Sequence, residues 1–427
     1  MLRTSKHYQE RGWRILTKKM KDSGIEWVGE IPEDWLLVKY KRFAKSGMGV
    51  TLLKSDLLDR ETADSIPVYS ATQGNEFFGY TENKKLLLEC GDLVIPARGN
   101  SIGHIKVVDK TATSTQTTIY SKVFSNEINI MFLKYCSDGL KDNWFKFDDT
   151  AIPQITVNQV NNNPVPYPSL KEQEKIVKIL NKITQKVDNI LKQTQQSIKE
   201  LKKYKQSLIT ESVTKGLDPN VEMKDSGVGW IENIPKHWKF IKGKYIFKKL
   251  QRPIRCDEIV TAFRDGQVMQ RSKRRTEGFT NSLKEIGYQG VEKGDLVIHS
   301  MDAFAGAIGI SQDNGKCSPV CIVLNSFNSN IYNPYFSYLM RVYAYLGYIE
   351  SMAKGIRVRS SDFKYHTFAN TFLLIPKLQE QQQIVQYLDN KISIIDRLIE
   401  DKTKVIEELE NYKKSLIYEY VTGKKEV

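Results

Sequence analysis

Arginine says most about chemistry in this chain. Arg252, Arg255, Arg264, Arg271, Lys273, Arg274 and Arg275 crowd one short stretch, and Arg357 and Arg359 follow later. A guanidinium fork matches both phosphate oxygens and the major-groove edge of guanine. Arg264, Arg271, Arg274, Arg275, Arg357 and Arg359 are therefore candidate DNA readers. Further upstream, "SATQGNEFFGYTENK" sets Gln73, Asn75 and Asn83 among Phe77, Phe78 and Tyr80. Amides pair bidentately with adenine, while the aromatics pack either on bases or simply on their own domain. Gln73, Asn75 and Tyr80, with Arg98, Asn100 and Gln116, form a second candidate set.

Catalytic patterns are scarce. No G-x-x-x-x-G-K-[ST] loop is present to cradle ATP phosphates, so the chain is not expected to translocate DNA by itself. "NPYF" at Asn333–Phe336 resembles the N-P-P-[FY] tetrapeptide with which adenine methyltransferases hold a flipped base. It lacks the second proline and a preceding glycine-rich cofactor loop, and reads as a helix start. Glu292 and Lys293 in "VEKGD" have no evident upstream acidic partner for a nuclease metal site. Five cysteines without a C-x-x-C pair, and five scattered histidines, give neither a disulfide framework nor zinc spacing.

Composition narrows the class further. The 427 residues exceed one ordinary core and suit two or more domains. At 40% hydrophobic and 27% charged the chain reads as soluble and globular, and no apolar run is long enough to cross a bilayer. The basic first twenty residues hold no apolar core of a secretion signal, so a cytoplasmic location is expected. A net charge of +14 favours a polyanionic partner such as DNA or RNA.

The elements that must carry these residues come twice. "KDSGIEWVGEIPEDW" from Lys21 returns as "KDSGVGWIENIPKHW" from Lys224, 203 positions on, and "GDLVIPARGNSIGHI" from Gly91 returns as "GDLVIHSMDAFAGAI" from Gly294 at the same offset. "PSLKEQEKIVKIL" from Pro168 meets "PKLQEQQQIVQYL" from Pro376, 208 positions on. "YKQSLITESVTKG" from Tyr204 meets "YKKSLIYEYVTGK" from Tyr412, so two tandem copies fill nearly the whole chain. The repeated lead-in is expected to be structural, seating Trp27 and Trp35 where each globular part meets its helix.

Within each copy, short apolar runs broken by Gly, Asn and Pro predict strands and turns over 36–167 and 239–375. From Lys171 the period changes. Ile176, Leu180, Ile183, Val187 and Ile190 step by four and three, as in a coiled-coil seam. Ser169 and Glu172 form an S-x-x-E capping box, Gly216 supplies a stop, and residues 171–215 would span about 65 Å. The distal copy repeats the seam from Ile384 to Leu416. Neither stripe is stable alone in water, so the two helices are expected to pair, antiparallel, stripe on stripe. The first helix carries eleven lysines against five acids, which suits a solvated face as well as it suits DNA.

The expected fold class is α+β: two globular α/β domains joined by two long helices in an antiparallel coiled coil, with a pseudo-two-fold internal repeat. The expected divisions are 1–19, an extension or basic arm; 20–168, a first recognition domain; 169–216, a central helix; 217–375, a second recognition domain; and 376–427, a distal helix.

"MKDSGIEWVGEIPEDW", the helix starts "PSLKEQEKIV" and "PKLQEQQQIV", and two variable segments between repeated helices resemble the specificity subunit of type I restriction-modification enzymes over residues 20–425. The resemblance implies a non-catalytic reader of double-stranded DNA with two target recognition domains. Each would read one half of a split, asymmetric sequence, with the helices as a ruler for the unread gap. It also implies two modification (methyltransferase) subunits and two restriction (ATP-dependent translocase and nuclease) subunits as partners. S-adenosylmethionine, ATP and magnesium would sit on those partners and no cofactor on this chain. A standalone coiled-coil architectural protein that binds DNA without enzymatic partners is the alternative, and a nuclease with an unrecognised site is a third reading.

Overall fold

A computed structural model describes residues 18–72, 74, 76–99, 101–145, 154–274, 285–352 and 363–427. It divides into two compact units, Met1–Gln195 with Lys404–Val427, and Gln196–Thr403. Neither division falls between a globular part and a helix. Both long helices, Leu170–Lys215 and Leu378–Val421, are cut near their middles, so each unit holds the start of one and the end of the other.

The first unit is built on a four-stranded antiparallel sheet in the order Ala44–Met48, Thr118–Val123, Leu93–Pro96, Lys106–Val107. "DLVIPA" becomes the buried strand Leu93–Pro96, apolar on both faces because helices and a second sheet cover it. Helix Ile130–Trp144 packs on one face, and its cap residue Asn129 accepts hydrogen bonds from the backbone N–H groups of Met131 and Phe132 at 2.9 and 3.2 Å. A three-stranded sheet, Gly79–Thr81, Ile66–Tyr69, Thr113–Ser114, lies beside it and includes a parallel pair.

The second unit repeats the four-stranded sheet in the same order: Phe247–Lys249, Cys321–Ser326, Leu296–His299, Ile308–Ile310. "NPYF" opens helix Asn333–Tyr345 with Pro334 in its first turn, as the sequence predicts. The accessory strands recur in looser form: Val260–Ala262 pairs antiparallel with Val268–Gln270, and a parallel bridge from Ile259 to Lys316 links this ribbon to a second, Gln289–Val291 with Gly315–Cys317.

The duplicated lead-in is a joint. Trp35 and Trp238 are each 1% exposed, and their indole N–H groups donate to Glu172 at 3.1 Å and Glu380 at 3.0 Å, the glutamates of the two "EQ" helix starts. The same tryptophans also receive the end of the other long helix in their unit. A Cβ on Gly423 would stand 2.5 Å from Pro32 and 3.1 Å from Trp35, and one on Gly216 3.4 Å from Trp238. Both glycines have positive φ, +74° and +79°, as a helix stop at close quarters requires. The capping box is thereby only half realised. Ser169 Oγ accepts from the Glu172 N–H at 3.4 Å, whereas the Glu172 carboxylate accepts from Trp35 and pairs with Lys18. Trp27 is half-buried, and its carbonyl accepts the Tyr418 hydroxyl at 2.9 Å.

Within each unit the two helix segments run antiparallel. Lys413 pairs with Asp188 at 2.6 Å in the first, and Lys205 with Asp396 at 2.7 Å in the second. The expectation that the stripes bury each other along their length holds only in part. Ile176 and Leu180, Leu208 and Val213, Ile384, Leu388 and Ile395, and Leu416 are buried in the globular cores, and Val187 is buried beyond them. Nearer the middles, Ile190, Tyr204, Leu398, Val405 and Tyr412 are exposed. Two helices cover only one flank of each other, and among the described residues these positions stay uncovered.

Candidate nucleic-acid interface

In the second unit the arginines gather on one hairpin. Strands Val260–Ala262 and Val268–Gln270 are joined by a turn closed by the Phe263 carbonyl accepting from the Gly266 N–H at 2.8 Å, and Arg264 stands at its tip. Arg264 Nη2 donates to Asp302 at 2.7 Å, and the guanidinium lies 5.8 Å over the Phe304 ring. Arg271 opens the short 3-10 turn after the hairpin. Arg274 follows it, paired with Asp265 at 2.8 Å and 4.2 Å over the Phe263 ring. Arginine stacked on a ring and held by one carboxylate has a set direction but no deep attachment, because exposed pairs contribute only about 0–1 kcal/mol. A phosphate or base edge can displace the carboxylate.

The charges are mutually tuned. Burial raises the Asp265 carboxyl, but the hydrogen bonds from Arg274 and the Gln267 N–H and the charges of Arg274 and Arg341 more than reverse this, leaving it below the usual range. His299, at the end of its strand, is pushed below the ordinary imidazole value by burial. The Arg271 and Arg264 charges add to that push, and Asp302, 3.4 Å away, opposes it.

The first unit presents a different chemistry at the corresponding end of its sheet. The Ala97 N–H donates to the Thr117 carbonyl at 2.9 Å, which puts Arg98 and Gln116 on adjoining segments, both exposed. Gln116 is oriented by Thr51, whose hydroxyl donates to its amide oxygen at 2.8 Å. Ser70, Thr115 and Thr117 link their hydroxyls behind it at 2.7–3.2 Å. Tyr80 is half-buried on the accessory sheet, with its ring 6.3 Å from Phe77 and part of its surface still open. Gln73, Asn75 and Asn100, like Arg275, Arg357 and Arg359, lie outside the described residues.

Several residues that sequence reasoning passed over support these surfaces. Lys106 is 2% exposed, its pKa lowered by burial, and its ammonium donates to the Ser70 carbonyl at 3.0 Å and the Thr72 hydroxyl at 2.8 Å. It anchors the loop that leads to Gln73. Asp302, Phe304 and Phe263 hold the arginines. For Asp302 and Phe304 the signal is divergence: "HSMDAF" replaces "PARGNS" inside an otherwise repeated stretch. Among the described residues no three His, Cys, Asp or Glu side chains cluster as metal ligands, and no helix is long and apolar enough to cross a membrane.

One sheet-and-helix module is built twice, bearing a cluster of guanidinium groups in one copy and one arginine beside an amide and hydroxyl edge in the other. The chain belongs to the family of the type I restriction modification DNA specificity domain, whose model matches residues 32–200 and again 240–408. It is 24% identical over 419 residues to the type I restriction enzyme MjaVIII specificity subunit of Methanocaldococcus jannaschii, covering 92% of this chain and 93% of that one. The putative MjaX specificity subunit of the same organism is 23% identical, with 93% and 95% covered. Among solved structures, a chain from a study of complex assembly and conformational transition in the type I R-M system aligns at a TM-score of 0.68 and 14% identity, covering 92% of this chain and 98% of that one. The HsdS subunit of Thermoanaerobacter tengcongensis aligns at 0.50 with the same identity and coverage. These likenesses establish the α+β fold with its repeated module, and the family places the chain as a specificity subunit that recognises a DNA target.

Proposed function

We propose that each unit reads one half of a split, asymmetric DNA sequence, and that the two long helices fix the unread gap and hold two modification subunits. The observation that carries this reading is the contrast within the repeat. The four-stranded sheet, its helix and the tryptophan joint come twice unchanged in plan, while the side chains at the sheet ends differ in kind. Equal frames with unequal reading surfaces suit a target of two different words.

Arg264, Arg271 and Arg274 would contact phosphate or guanine on the second half; Arg98 and Gln116 would act on the first. Gln73, Asn75, Tyr80, Asn100, Arg275, Arg357 and Arg359 remain proposed contacts from the sequence. Phosphate contacts would supply most of the affinity and base contacts the discrimination. Exposed Ile190, Tyr204, Leu398, Val405 and Tyr412 give the helices an apolar surface for the modification subunits.

The chain itself would be non-catalytic and carry no cofactor. S-adenosylmethionine would reside on the modification subunits, and ATP and magnesium on two restriction subunits. Adenine methylation inside a duplex needs the base swung out at a cost of a few kcal/mol, and the reader's part would be to hold the flanking duplex while the partner captures it. Selection from a random duplex library by the complex of this chain with its modification subunit tests the reading. Enrichment of two different words at one fixed spacing is expected. A single continuous word, a palindrome, or no enrichment would overturn it.

A further inference from the structure

Two phenylalanines are exposed at matching places in the repeat. Phe124 is 63% exposed and Phe327 is 60%, and they lie 203 positions apart. Each immediately follows the central strand of its sheet, Thr118–Val123 or Cys321–Ser326. Each has its backbone N–H fixed to the neighbouring segment, Phe124 to the Phe43 carbonyl at 3.1 Å and Phe327 to the Ile246 carbonyl at 2.9 Å. A single exposed phenylalanine needs no explanation. The same one displayed twice on the same loop does.

The loop is held by the glutamine of the "EQ" helix start, buried in both copies. Gln173 accepts from the Asn129 N–H at 2.7 Å and donates to the Glu127 and Pro168 carbonyls at 3.1 and 3.0 Å. Gln381 accepts from the Tyr332 N–H at 2.8 Å and donates to the Asn330 and Pro376 carbonyls at 3.2 and 2.9 Å. A buried amide with three hydrogen bonds per copy makes each loop rigid, so the phenylalanine is presented at little entropic cost on binding.

The surroundings say what it is presented to. The candidate base readers adjoin the start of the central strand: Gln116 precedes it in the first unit, and Cys321 pairs with His299 beside the arginines in the second. The phenylalanines follow its other end, about 20 Å along a six-residue strand. The flanking cations are repeated as well. Lys41 and Lys45, on the segment whose Phe43 carbonyl takes the Phe124 N–H, correspond to Lys244 and Lys248, on the segment whose Ile246 carbonyl takes the Phe327 N–H, and all four are exposed.

Resting on the reading that this chain holds two modification subunits, we propose that Phe124 and Phe327 are equivalent anchors, one for each copy of that subunit. Each inserts into an apolar pocket rimmed by acidic side chains, with the matched lysines supplying the complementary charge. A partner bound twice explains why the anchor and its clamp are kept in both copies while the reading surfaces diverge.

The test is titration of the cognate modification subunit onto the full-length chain, with native mass spectrometry to count bound copies. Phe124→Ala and Phe327→Ala should each weaken one of two docking events by roughly 30-fold and leave the other unchanged. The double variant should weaken both, and leucine at either place should restore part of the loss. Because both side chains are exposed, thermal melting of the variants should match that of the parent chain. Two modification subunits bound to the double variant at parental affinity would overturn the proposal. So would retained docking with lost affinity for a duplex, which would make the patch a nucleic-acid contact. A parent chain that takes up no modification subunit would sink the underlying reading and the anchors with it; two copies bound regardless of the phenylalanines would sink the anchors alone.

Discussion

At the scale of single residues, the arginine surface of the second unit is a set of pre-aimed but occupied groups. Arg264 is engaged by Asp302 and rests over Phe304, so a DNA contact by this guanidinium would have to displace the carboxylate. Asp302→Asn should therefore raise affinity for non-specific duplex and steepen its dependence on salt by about one unit of the log–log slope, measured by anisotropy over a salt series. An unchanged slope would show that Arg264 makes no phosphate contact. Lys106→Met probes the other unit. Methionine fills the volume without a buried cation, so stability should move by less than about 1.5 kcal/mol, while selectivity for one half of the target falls as the 70–72 loop loses its anchor. Equal losses at both halves would contradict that assignment. None of these partnerships was legible in the sequence. Arg264 and Asp302 are 38 positions apart, Lys106 reaches back 36 to Ser70, and nothing in composition marks one lysine as buried among so many solvated ones.

At the scale of elements, the two long helices were the most legible part, because a stripe stepping by four and three over dozens of residues has no competing reading. What periodicity could not convey is where the stripe finds cover: it is buried at Ile176 and Val213 by globular cores and bare at Ile190 and Tyr204. The short "EQ" motif looked like half of a capping box. It is a joint in which glutamate takes a tryptophan N–H 137 positions away and glutamine clamps a loop. Gln173→Leu or Gln381→Leu would leave two backbone carbonyls and an N–H without their partner. Each should cost about 2–4 kcal/mol in its unit, read as a lower denaturation midpoint. A neutral effect in either would mean the clamp is dispensable. A four-residue insertion at the middle of each long helix adds about 6 Å of rise and should change the unread gap by one or two base pairs without changing either word. A gap that stays fixed would remove the helices from the role of ruler.

At the scale of the whole molecule, the repeat revealed the plan, and the α+β class followed from segments that change period from two to about 3.5. The copies part company where function would place their difference: a continuous three-stranded accessory sheet in the first, two ribbons joined by the single Ile259–Lys316 bridge in the second, and "PARGNS" against "HSMDAF" beside the central strand. Half of the twelve residues named from sequence as readers fall outside the described residues. Of the others, Arg264, Arg271 and Arg274 come together, Arg98 and Gln116 come together, and Tyr80 lies half-buried on its own sheet. The central claim is that each unit reads its own half. Single-molecule sequencing of DNA from cells expressing the modification subunit with either this chain or its Arg274→Ala variant tests it most directly. The account predicts a split adenine-methylated motif whose one half is relaxed by the variant while the other half and the gap stay intact. An unsplit motif, or both halves changing together, would contradict it.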